Sequence, residues 1–304
     1  MELYHAHTTL FGAVDETYNG RLEDARAVII PAPLEYTVCY GEGTANGPAA
    51  IIAASSQMDL FDEEVQSVPA EQGISTLAPL DFTDLSHAEA LERIEAAVAA
   101  VVDRGQLPVI LGGEHSLSAP CVHAVQAAAD FAPLGVVQFD AHADLRDEYE
   151  GTPISHASAM RRVLDVPHVE LLAVGIRSIS EGEIADLRSG ATKANILWAH
   201  TLAAGKADFA AALAVLPERI YITIDLDCFD PGIMPAVGTP EPGGLGWYGV
   251  LGMLRLICAT KQVVGCDIVE LAPIPHLSAP DFLAAKLTYR LLGAIFAGAT
   301  EARS

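Results

Sequence analysis

Short apolar runs alternate along the chain with longer segments that are rich in Ala, Leu and Glu. The short runs are continuous blocks of Val, Ile and Leu rather than alternations of apolar and polar residues. This pattern is typical of parallel strands that are buried on both faces of a sheet, with the longer segments forming crossover helices. We therefore predict an α/β fold around a parallel sheet.

Seven strands and six helices follow from this pattern. The predicted strands are Ala27–Pro31, Pro108–Leu111, Gly135–Phe139, Leu171–Val174, Ile196–Ala199, Ile220–Ile224 and Val263–Ile268. The predicted helices are Pro48–Met58, His87–Asp103, Ala119–Ala129, Ala207–Leu216, Trp247–Ala259 and Asp281–Ala297. Since no internal repeat, low-complexity tract or linker interrupts the pattern, we predict a single domain over residues 1–304.

The charge of the chain narrows the range of partners. Its 40 acidic and 17 basic residues give a formal net charge of −23. Such a surface repels phosphate backbones, which argues against nucleic acid as a partner, and it attracts metal ions and cationic substrates. Because the acids are spread along the whole chain, we attribute most of this charge to solubility or to adaptation to salt.

Other features of the composition indicate a cytoplasmic protein. The apolar blocks are all shorter than the roughly 18 residues of a membrane span, so we expect no membrane partner. The N-terminal stretch MELYHAHTTLFGAVDETYNG lacks a basic region before an apolar stretch, so we expect no secretory signal. Five cysteines without paired spacing indicate reduced thiols.

Polar groups follow four of the predicted strands directly. They lie in the segments Gly112–Ser116, Asp140–Asp144 and Asp225–Asp227, and at Glu270. In open α/β sheets, ligands bind outside the carboxyl ends of the strands. The sequence therefore predicts that these four segments converge on one crevice.

Two of these segments place aspartate or histidine side chains at every second position. The stretch QFDAHAD contains Asp140, His142 and Asp144, and the stretch TIDLD contains Asp225 and Asp227. Side chains two positions apart at the end of a strand point to the same side. Both segments can therefore direct their polar groups into the crevice together.

The predicted crevice holds four carboxylates, which repel one another unless cations neutralise them. Together with His115 and His142 they form a mixed oxygen and nitrogen ligand set, which suits Mn²⁺ or another borderline divalent metal. Six such ligands, two of them bridging, can hold two metals about 3.5–4 Å apart. Each residue taken singly has a simpler explanation, as a helix cap, a turn residue or a structural histidine, but together they favour a metal site.

Four motifs connect the chain with a known family. The motifs LGGEHS, FDAHAD, IDLDCFDP and GCDIVELAP resemble those of the ureohydrolases, the arginase/agmatinase family. The resemblance extends from the segment Tyr40–Ser55 to the final predicted helix, which is most of the chain. It implies a three-layer α/β/α fold with a central, mostly parallel sheet and a binuclear manganese centre.

The resemblance also implies the ligands of two Mn²⁺ ions per subunit, with Asp140 and Asp225 bridging both metals. The ligands of one metal are His115, Asp140, Asp144 and Asp225, and those of the other are Asp140, His142, Asp225 and Asp227. Asp230, which also matches a family aspartate, precedes Pro231, and we interpret it as a structural turn residue.

The reaction that the resemblance implies is the hydrolysis of a guanidinium group to urea and an amine. Two metals lower the pKa of a shared water, and the resulting metal-bridging hydroxide attacks the guanidinium carbon. His156 in ISHASAM matches the histidine that carries a proton to the leaving amine, and Glu270 in DIVEL matches the carboxylate that binds the guanidinium. The alternative for His156 is a structural or helix-capping histidine, and the alternative for Glu270 is a buried salt bridge.

The residues around the metal motifs resemble those of agmatinases more than those of arginases. Arginases carry an asparagine two places after the last aspartate of DAHxD and acidic residues after Gly-x-Arg, whereas this chain has Arg146, Ser178 and Ser180 there. We therefore predict the hydrolysis of agmatine to putrescine and urea, a step of polyamine biosynthesis. The acids Asp147, Glu148 and Glu150 can help to attract the second cation of agmatine, although a charged turn of this kind is usually a solvated face. We expect Arg146 to pair with a neighbouring acid such as Glu148 or Glu150 on the rim.

Other functions remain open as alternatives. Guanidinobutyrase and related amidinohydrolases share the metal motifs, and arginase activity is less favoured. A non-catalytic metal-binding assembly protein is the alternative from a different class, and the intact ligand set with His156 and Glu270 argues against it. Relatives form trimers or hexamers, so we expect a cytoplasmic homo-oligomer that binds a small cationic guanidino substrate.

Overall fold

The structure is a computed structural model that describes residues 21–129 and 131–301. The expectation that the chain carries no secretory signal concerns residues 1–20, which lie outside the described residues. Within the described ranges, no helix combines the length and the hydropathy that crossing a membrane requires.

Parallel strands form one sheet at the centre of the molecule. The strands are β1 (Ala27–Ala32), β2 (Ile74–Thr76), β3 (Leu107–Gly112), β4 (Leu134–Phe139), β5 (Val169–Ile176), β6 (Asn195–Trp198), β7 (Arg219–Asp225) and β8 (Gln262–Val269). Their order across the eight-stranded sheet is β2-β1-β3-β8-β7-β4-β5-β6. Every neighbouring pair is parallel, as the continuous apolar runs of the sequence predict.

Helices cover both faces of the sheet and give the molecule three layers. They are α1 (Gly47–Ser55), α2 (His87–Val102), α3 (Ser118–Ala129), α4 (Ala159–Val163), α5 (Glu181–Ser189), α6 (Ala199–Ala203), α7 (Phe209–Ala214), α8 (Trp247–Thr260) and α9 (Ala279–Glu301). Ile51 of α1 and Leu254 of α8 belong to the core on one face, while Ile94 of α2 and Met160 of α4 belong to the core on the other. The predicted three-layer α/β/α fold with a parallel sheet is confirmed.

The packing of the strands explains why their segments are continuous apolar runs. In β1, Ala27 and Ile29 belong to the core on one face of the sheet, and Val28 and Ile30 belong to the core on the other. All four side chains are fully buried. A strand in the interior of such a sheet has no side that faces solvent, so its sequence shows no polar alternation.

The short elements differ from the prediction. The apolar pattern misses β2, because this strand has three residues and two of them are the polar but buried Ser75 and Thr76. It also misses the short helices α4, α5 and α6. Ala199, which is predicted to end a strand, begins α6 instead, and the helix predicted at Ala207–Leu216 is limited to α7.

The order of the strands brings the four polar segments together. Strands β3, β8, β7 and β4 are consecutive neighbours in the middle of the sheet, and a polar segment follows the carboxyl end of each. Phe139 of β4 pairs with Ile224 of β7, so the next residues, Asp140 and the last residue of β7, Asp225, lie side by side at the carboxyl edge of the sheet. A binding site is therefore expected at the carboxyl edge of these four strands.

Candidate metal centre

A first group of polar side chains surrounds His115, which lies in the 3₁₀ turn His115–Leu117 directly after β3. Its Nδ1 atom is 3.1 Å from Asp140 Oδ2, 3.1 Å from Asp144 Oδ2 and 3.4 Å from Asp225 Oδ2. The imidazole and the three carboxylates are buried. One nitrogen therefore faces three carboxylate oxygens that come from the ends of two other strands.

A second group lies next to the first and shares Asp140 with it. His142 Nδ1 is 2.8 Å from Asp227 Oδ2 and 3.7 Å from Asp140 Oδ1. The two oxygens of Asp140 thus face different histidines, since Oδ2 lies beside His115 and Oδ1 lies beside His142. Two sets of ligand atoms are close enough to hold a metal, one made of His115, Asp140 and Asp225 and the other of Asp140, His142 and Asp227.

The hydrogen bonds of His115 indicate which of its nitrogens is available to a metal. Thr223 Oγ1 donates its hydrogen to Asp267 Oδ1 at 2.6 Å, so it accepts a hydrogen bond from His115 Nε2–H at 2.8 Å. In the neutral ring, Nδ1 then directs a lone pair at three carboxylates. Within the described residues this buried atom has no hydrogen-bond partner of good geometry. A bound cation would satisfy both the lone pair and the carboxylates, so these residues fit a metal.

Backbone and amide groups hold the carboxylates in place. Asp140 accepts from His142 N at 2.6 Å and from Gln138 Nε2 at 2.8 Å. Asp227 Oδ1 accepts from Ala141 N at 2.9 Å, and Asp225 Oδ1 accepts from Asp227 N at 2.8 Å. In both Asp225 and Asp227, one oxygen is bound to a backbone N–H and the other faces a histidine, an arrangement that orients metal ligands before a metal binds.

The metal-free cluster retains protons that isolated side chains would lose. Burial and then the neighbouring carboxylates raise the pKa of Asp225 and Asp227. Burial lowers the pKa of His142, but its contacts with Asp140 and Asp227 outweigh this effect and raise the pKa to about 12. Burial and then the charge of Glu114 raise the pKa of Glu270 to about 8. Metal ions that bind the cluster must displace the protons of its ligands.

These shifts predict how the stability of the metal-free protein depends on pH. Between about pH 6.5 and about pH 8 the folded chain keeps protons on His142 and Glu270 that the unfolded chain has lost, so the free energy of unfolding falls as the pH rises. We expect the melting temperature of chelator-treated protein to drop across this range. The melting temperature of Mn²⁺-loaded protein should drop less. A melting temperature of the chelated protein that stays level or rises would contradict the assigned protonation.

Two residues near the cluster have an unusual backbone conformation. Asp144 and Glu270 have φ angles of 53° and 67°, in the left-handed region that non-glycine residues seldom adopt. Such a conformation costs on the order of 1–3 kcal/mol and persists where the surroundings impose it, often at functional sites. Glu270 is fixed by two hydrogen bonds to the turn after β3: its N–H donates to Gly113 O at 2.8 Å, and its Oε1 accepts from His115 N at 2.6 Å.

His156 lies in the 3₁₀ turn His156–Ser158. Its Nδ1 atom is 3.2 Å from Thr37 Oγ1, and its backbone N–H donates to the same oxygen at 3.0 Å. The ring also makes an edge contact with Tyr149, with 5.7 Å between the ring centroids. The position of His156 is therefore set by the loop after β1 and by the segment that follows the DAHAD motif.

A cleft with a cavity volume of about 220 Å³ opens above the cluster. Of the eight residues that the sequence singles out, seven line it: His115, His142, Asp144, His156, Asp225, Asp227 and Glu270. The eighth, Asp140, is fully buried beneath them. All eight predicted site residues thus lie together, and their individual roles remain predictions.

Comparison with known proteins agrees with this geometry. The sequence model of the arginase family matches residues 25–293. The chain belongs to the arginase family. The predicted resemblance to ureohydrolases, and to agmatinases in particular, is confirmed, and the chain is an agmatinase-like enzyme that hydrolyses linear amidine C–N bonds.

Relatives and solved structures within the arginase family are similar over nearly the whole chain. The chain is 40% identical to an N(1)-aminopropylagmatine ureohydrolase of Synechocystis sp. over 89% of either protein. It is 31% identical to an agmatinase of Pyrococcus horikoshii over 90% of this chain and 93% of that protein. The agmatine ureohydrolase structure of Thermoplasma volcanium superposes with a TM-score of 0.85 at 27% identity and covers 97% of both chains.

The rim of the arginase-family cleft differs from the sequence-based expectation. Arg146 does not pair with a neighbouring acid of residues 147–150. Its guanidinium lies over the ring of Tyr149, 5.0 Å from the centroid, and its Nε is 3.9 Å from Oε2 of the buried Glu183. The prediction is wrong because Asp147 binds Arg162 at 2.6 Å instead, while Glu148 and Glu150 are exposed and do not line the cleft.

Glu183 is not among the predicted site residues, yet it also lines the cleft. Its Oε2 accepts from the Oγ and N of Ser180, and its own N–H is bonded to Ser180 Oγ, so the two residues form the capping box at the start of α5. The spacing Ser-x-x-Glu is a signal that could have located both the helix and this carboxylate. Asp230, by contrast, is the predicted turn residue, since it accepts from the N–H groups of Gly232, Gly243 and Gly244.

Proposed function

We propose that this enzyme of the arginase family depends on manganese and hydrolyses agmatine to putrescine and urea, a step of polyamine biosynthesis. The observation that carries the proposal is the pair of adjoining ligand groups that share Asp140, with His156 and Glu270 in the walls of the same cleft. N(1)-aminopropylagmatine is a second candidate substrate, because it names the Synechocystis relative. Both compounds carry the same guanidino group on a four-carbon chain.

The ligand assignment proposed for two Mn²⁺ ions follows the two groups of side chains. One ion would be bound by His115, Asp140, Asp144 and Asp225, and the other by Asp140, His142, Asp225 and Asp227. The distances within the two groups support every one of these contacts except that of Asp225 with the second ion. That contact follows from the resemblance to the family. Two metal ions held by these residues would activate a water molecule for attack at neutral pH and would polarise the group that is attacked. The four carboxylates of this site offset the charge of the two cations.

Glu270 is proposed to bind the guanidinium of the substrate. Its Oε1 already accepts one hydrogen bond, from His115 N, and each carboxylate oxygen can accept two. The remaining lone pairs lie at the wall of the cleft and match the paired N–H groups of a planar guanidinium. Glu270 is tied to the turn that carries His115, so this contact would place the substrate carbon at a fixed height above the metal ligands.

His156 is proposed to carry a proton to the amine that leaves. An amine expelled from a tetrahedral carbon is a poor leaving group unless its nitrogen receives a proton, and imidazole exchanges protons readily near neutral pH. His156 lines the same cleft as the metal ligands, but it belongs to neither ligand group. This separation supports a role in proton transfer rather than in metal binding.

We also propose that the chain is a single ureohydrolase domain of a cytoplasmic homo-oligomer, a trimer or a hexamer. Guanidinobutyrate stays an alternative substrate, because the exposed part of Arg146 at the cleft could bind a carboxylate.

Replacing His156 by alanine tests the proposed chemistry. In a urea-release assay on Mn²⁺-loaded protein, His156→Ala should lower kcat by about 10²–10⁴-fold, the usual contribution of a general acid–base group, with two metals per chain still bound. His123→Ala is the matched control, since His123 is an exposed histidine of α3 that contacts Glu95 outside the cleft. A His156→Ala variant that loses metal but keeps its turnover per bound metal would show that the role is wrongly assigned.

A further inference from the structure

Glu114, the residue before His115, is a buried carboxylate that accepts four hydrogen bonds. Its Oε2 accepts from the backbone N–H groups of Tyr36 and Thr37, each at 2.6 Å. Its Oε1 accepts from the hydroxyl groups of Thr37 and Ser116, each at 2.7 Å. The four donors occupy the four acceptor positions that a carboxylate offers.

These bonds determine the direction of the hydrogen bond between Thr37 and His156. The hydroxyl of Thr37 has one hydrogen, and this hydrogen is donated to Glu114 Oε1. Towards His156, Thr37 Oγ1 can therefore act as an acceptor only, and it lies 3.0 Å from His156 N and 3.2 Å from His156 Nδ1. The hydrogen in the second contact must belong to Nδ1, which leaves Nε2 as the basic nitrogen of the neutral ring.

Backbone contacts make the geometry of this chain of bonds rigid. Glu114 N donates to Leu34 O at 2.9 Å, so the loop after β1 and the turn after β3 are joined by bonds in both directions. Gly113 makes the close approach possible, because a Cβ at this position would lie 1.8 Å from Leu34 O. Thr37 is thereby held on Glu114 before any substrate binds.

We propose that Thr37, fixed by Glu114, is a positioning residue that holds His156 in the tautomer with hydrogen on Nδ1, so that Nε2 performs the proton transfer. The inference rests on the role proposed for His156 above. In the transfer, Nε2 takes the proton from the hydroxyl on the tetrahedral carbon and gives it to the leaving nitrogen. The C–N bond breaks with its electron pair on nitrogen, the C=O bond of urea forms, and the ring returns to its starting state with Nδ1–H retained throughout.

A threonine replacement series with its double mutants tests the proposal. Thr37→Val keeps the shape of the side chain and removes the acceptor, so we expect kcat to fall about tenfold or more, within the range contributed by the histidine itself, while KM and metal content stay unchanged. Thr37→Ser keeps the hydroxyl and should retain kcat close to that of the parent. In a His156→Ala background, Thr37→Val should lower kcat no further, because it acts through the missing ring.

Several outcomes would overturn the inference. Thr37 does not act through His156 if Thr37→Val and Thr37→Ser lower kcat equally, or if the change is confined to KM. The same conclusion follows if the losses of kcat in Thr37→Val and His156→Ala add up in the double mutant. Thr37→Ala, which leaves room for water, serves as the second variant if Thr37→Val lowers the melting temperature too far for assay. If His156→Ala keeps full turnover, the role in proton transfer that is proposed for His156 fails as well. If Thr37→Val is fully active and His156→Ala is inactive, only the positioning role of Thr37 is overturned.

Discussion

Asn in place of Asp140 should abolish the binding of both metals and lower urea release by about 10³- to 10⁵-fold. The range follows from the several kcal/mol that a metal-activated nucleophile contributes, since each 1.4 kcal/mol is about tenfold in rate. Asp140 is the residue whose two oxygens face the two different histidines, and it lies fully buried below the cleft. An amide there removes a negative charge from both ligand groups and places N–H donors against a histidine nitrogen.

Asp225→Asn should have a similar effect, because the proposed assignment makes Asp225 the second bridge. The structure places Asp225 Oδ2 at 3.4 Å from His115 Nδ1, while its Oδ1 accepts from the backbone N–H of Asp227. Asp144→Asn provides the contrast, since Asp144 faces His115 and belongs to one proposed metal set. We expect this variant to lose about one metal per chain and to keep the other.

Elemental analysis beside the urea-release assay measures these effects directly. Chelation of the parent protein should abolish urea release, and Mn²⁺ should restore it. The Asp140→Asn and Asp225→Asn variants should stay inactive at every Mn²⁺ concentration. Asp230→Asn is the control in the same segment, because Asp230 binds backbone N–H groups of the following turns and no predicted ligand. Close to two metals per chain in Asp140→Asn or Asp225→Asn would refute the bridging assignment.

The metal ligands could be located from the sequence because each is attached to a strand end. Side chains at every second position after an apolar run must point to one side, and parallel strands deliver their carboxyl ends to one edge. What the sequence leaves open is which strands are neighbours. Strand β8 is last along the chain, yet it lies between β3 and β7, and this insertion is what brings Glu270 against His115.

The residues around the ligands are harder to predict, because their contacts join segments that no local pattern connects. Thr37 and His156 are 119 positions apart, and Thr37 and Glu114 are 77 apart. Neither Thr37 nor Glu114 stands out in the sequence, since a threonine in a loop and an acid in a turn are most often solvated. Only the set of donors around the buried carboxylate of Glu114 shows that the hydroxyl of Thr37 donates its hydrogen to Glu114 and can only accept from His156.

The acids at residues 147–150 show the opposite failure, in which a conspicuous pattern misleads. A cluster of like charges next to a binding motif suggests attraction of a cationic substrate, but Asp147 pairs with Arg162, and Glu148 and Glu150 are exposed. The carboxylate that does face the cleft, Glu183, comes from the start of α5, 33 positions after Glu150. Charge runs are usually solvated faces, and here the rim acid is a helix-capping residue.

The choice of substrate depends on what the cleft offers beyond the guanidinium. Tyr40 and Tyr149 line the cleft with Arg146 and Glu183, and Ser180 has its hydroxyl hydrogen bound to Glu183. Since the ring of Tyr149 already faces the guanidinium of Arg146, an alkyl chain that ends in a cation would lie against the ring of Tyr40, whose face attracts cations. The proposed substrate, a guanidinoalkyl amine, needs a partner in the outer cleft for its distal cation alone, whereas an amino acid needs partners for both its carboxylate and its ammonium.

We expect kcat/KM for agmatine to exceed that for arginine by about tenfold to about 200-fold, because an unpaired carboxylate or ammonium in the cleft costs about 1–3 kcal/mol. The comparison extends to N(1)-aminopropylagmatine, which differs from agmatine only beyond the distal nitrogen, and to 4-guanidinobutyrate. Whichever of the two amines has the higher kcat/KM is the better candidate for the natural substrate. The four compounds share the guanidino group, so differences among them report on the outer cleft rather than on the metal ligands.

Arg146→Ala decides whether a carboxylate substrate can compete. The guanidinium of Arg146 lies over Tyr149 and near Glu183, so we expect its loss to leave agmatine hydrolysis within about threefold of the parent and to weaken 4-guanidinobutyrate hydrolysis further. Arg188→Ala, an exposed arginine of α5 that does not line this cleft, is the matched control. A parent enzyme that prefers 4-guanidinobutyrate, with the preference lost in Arg146→Ala and kept in Arg188→Ala, would overturn the agmatine proposal while leaving a ureohydrolase in place.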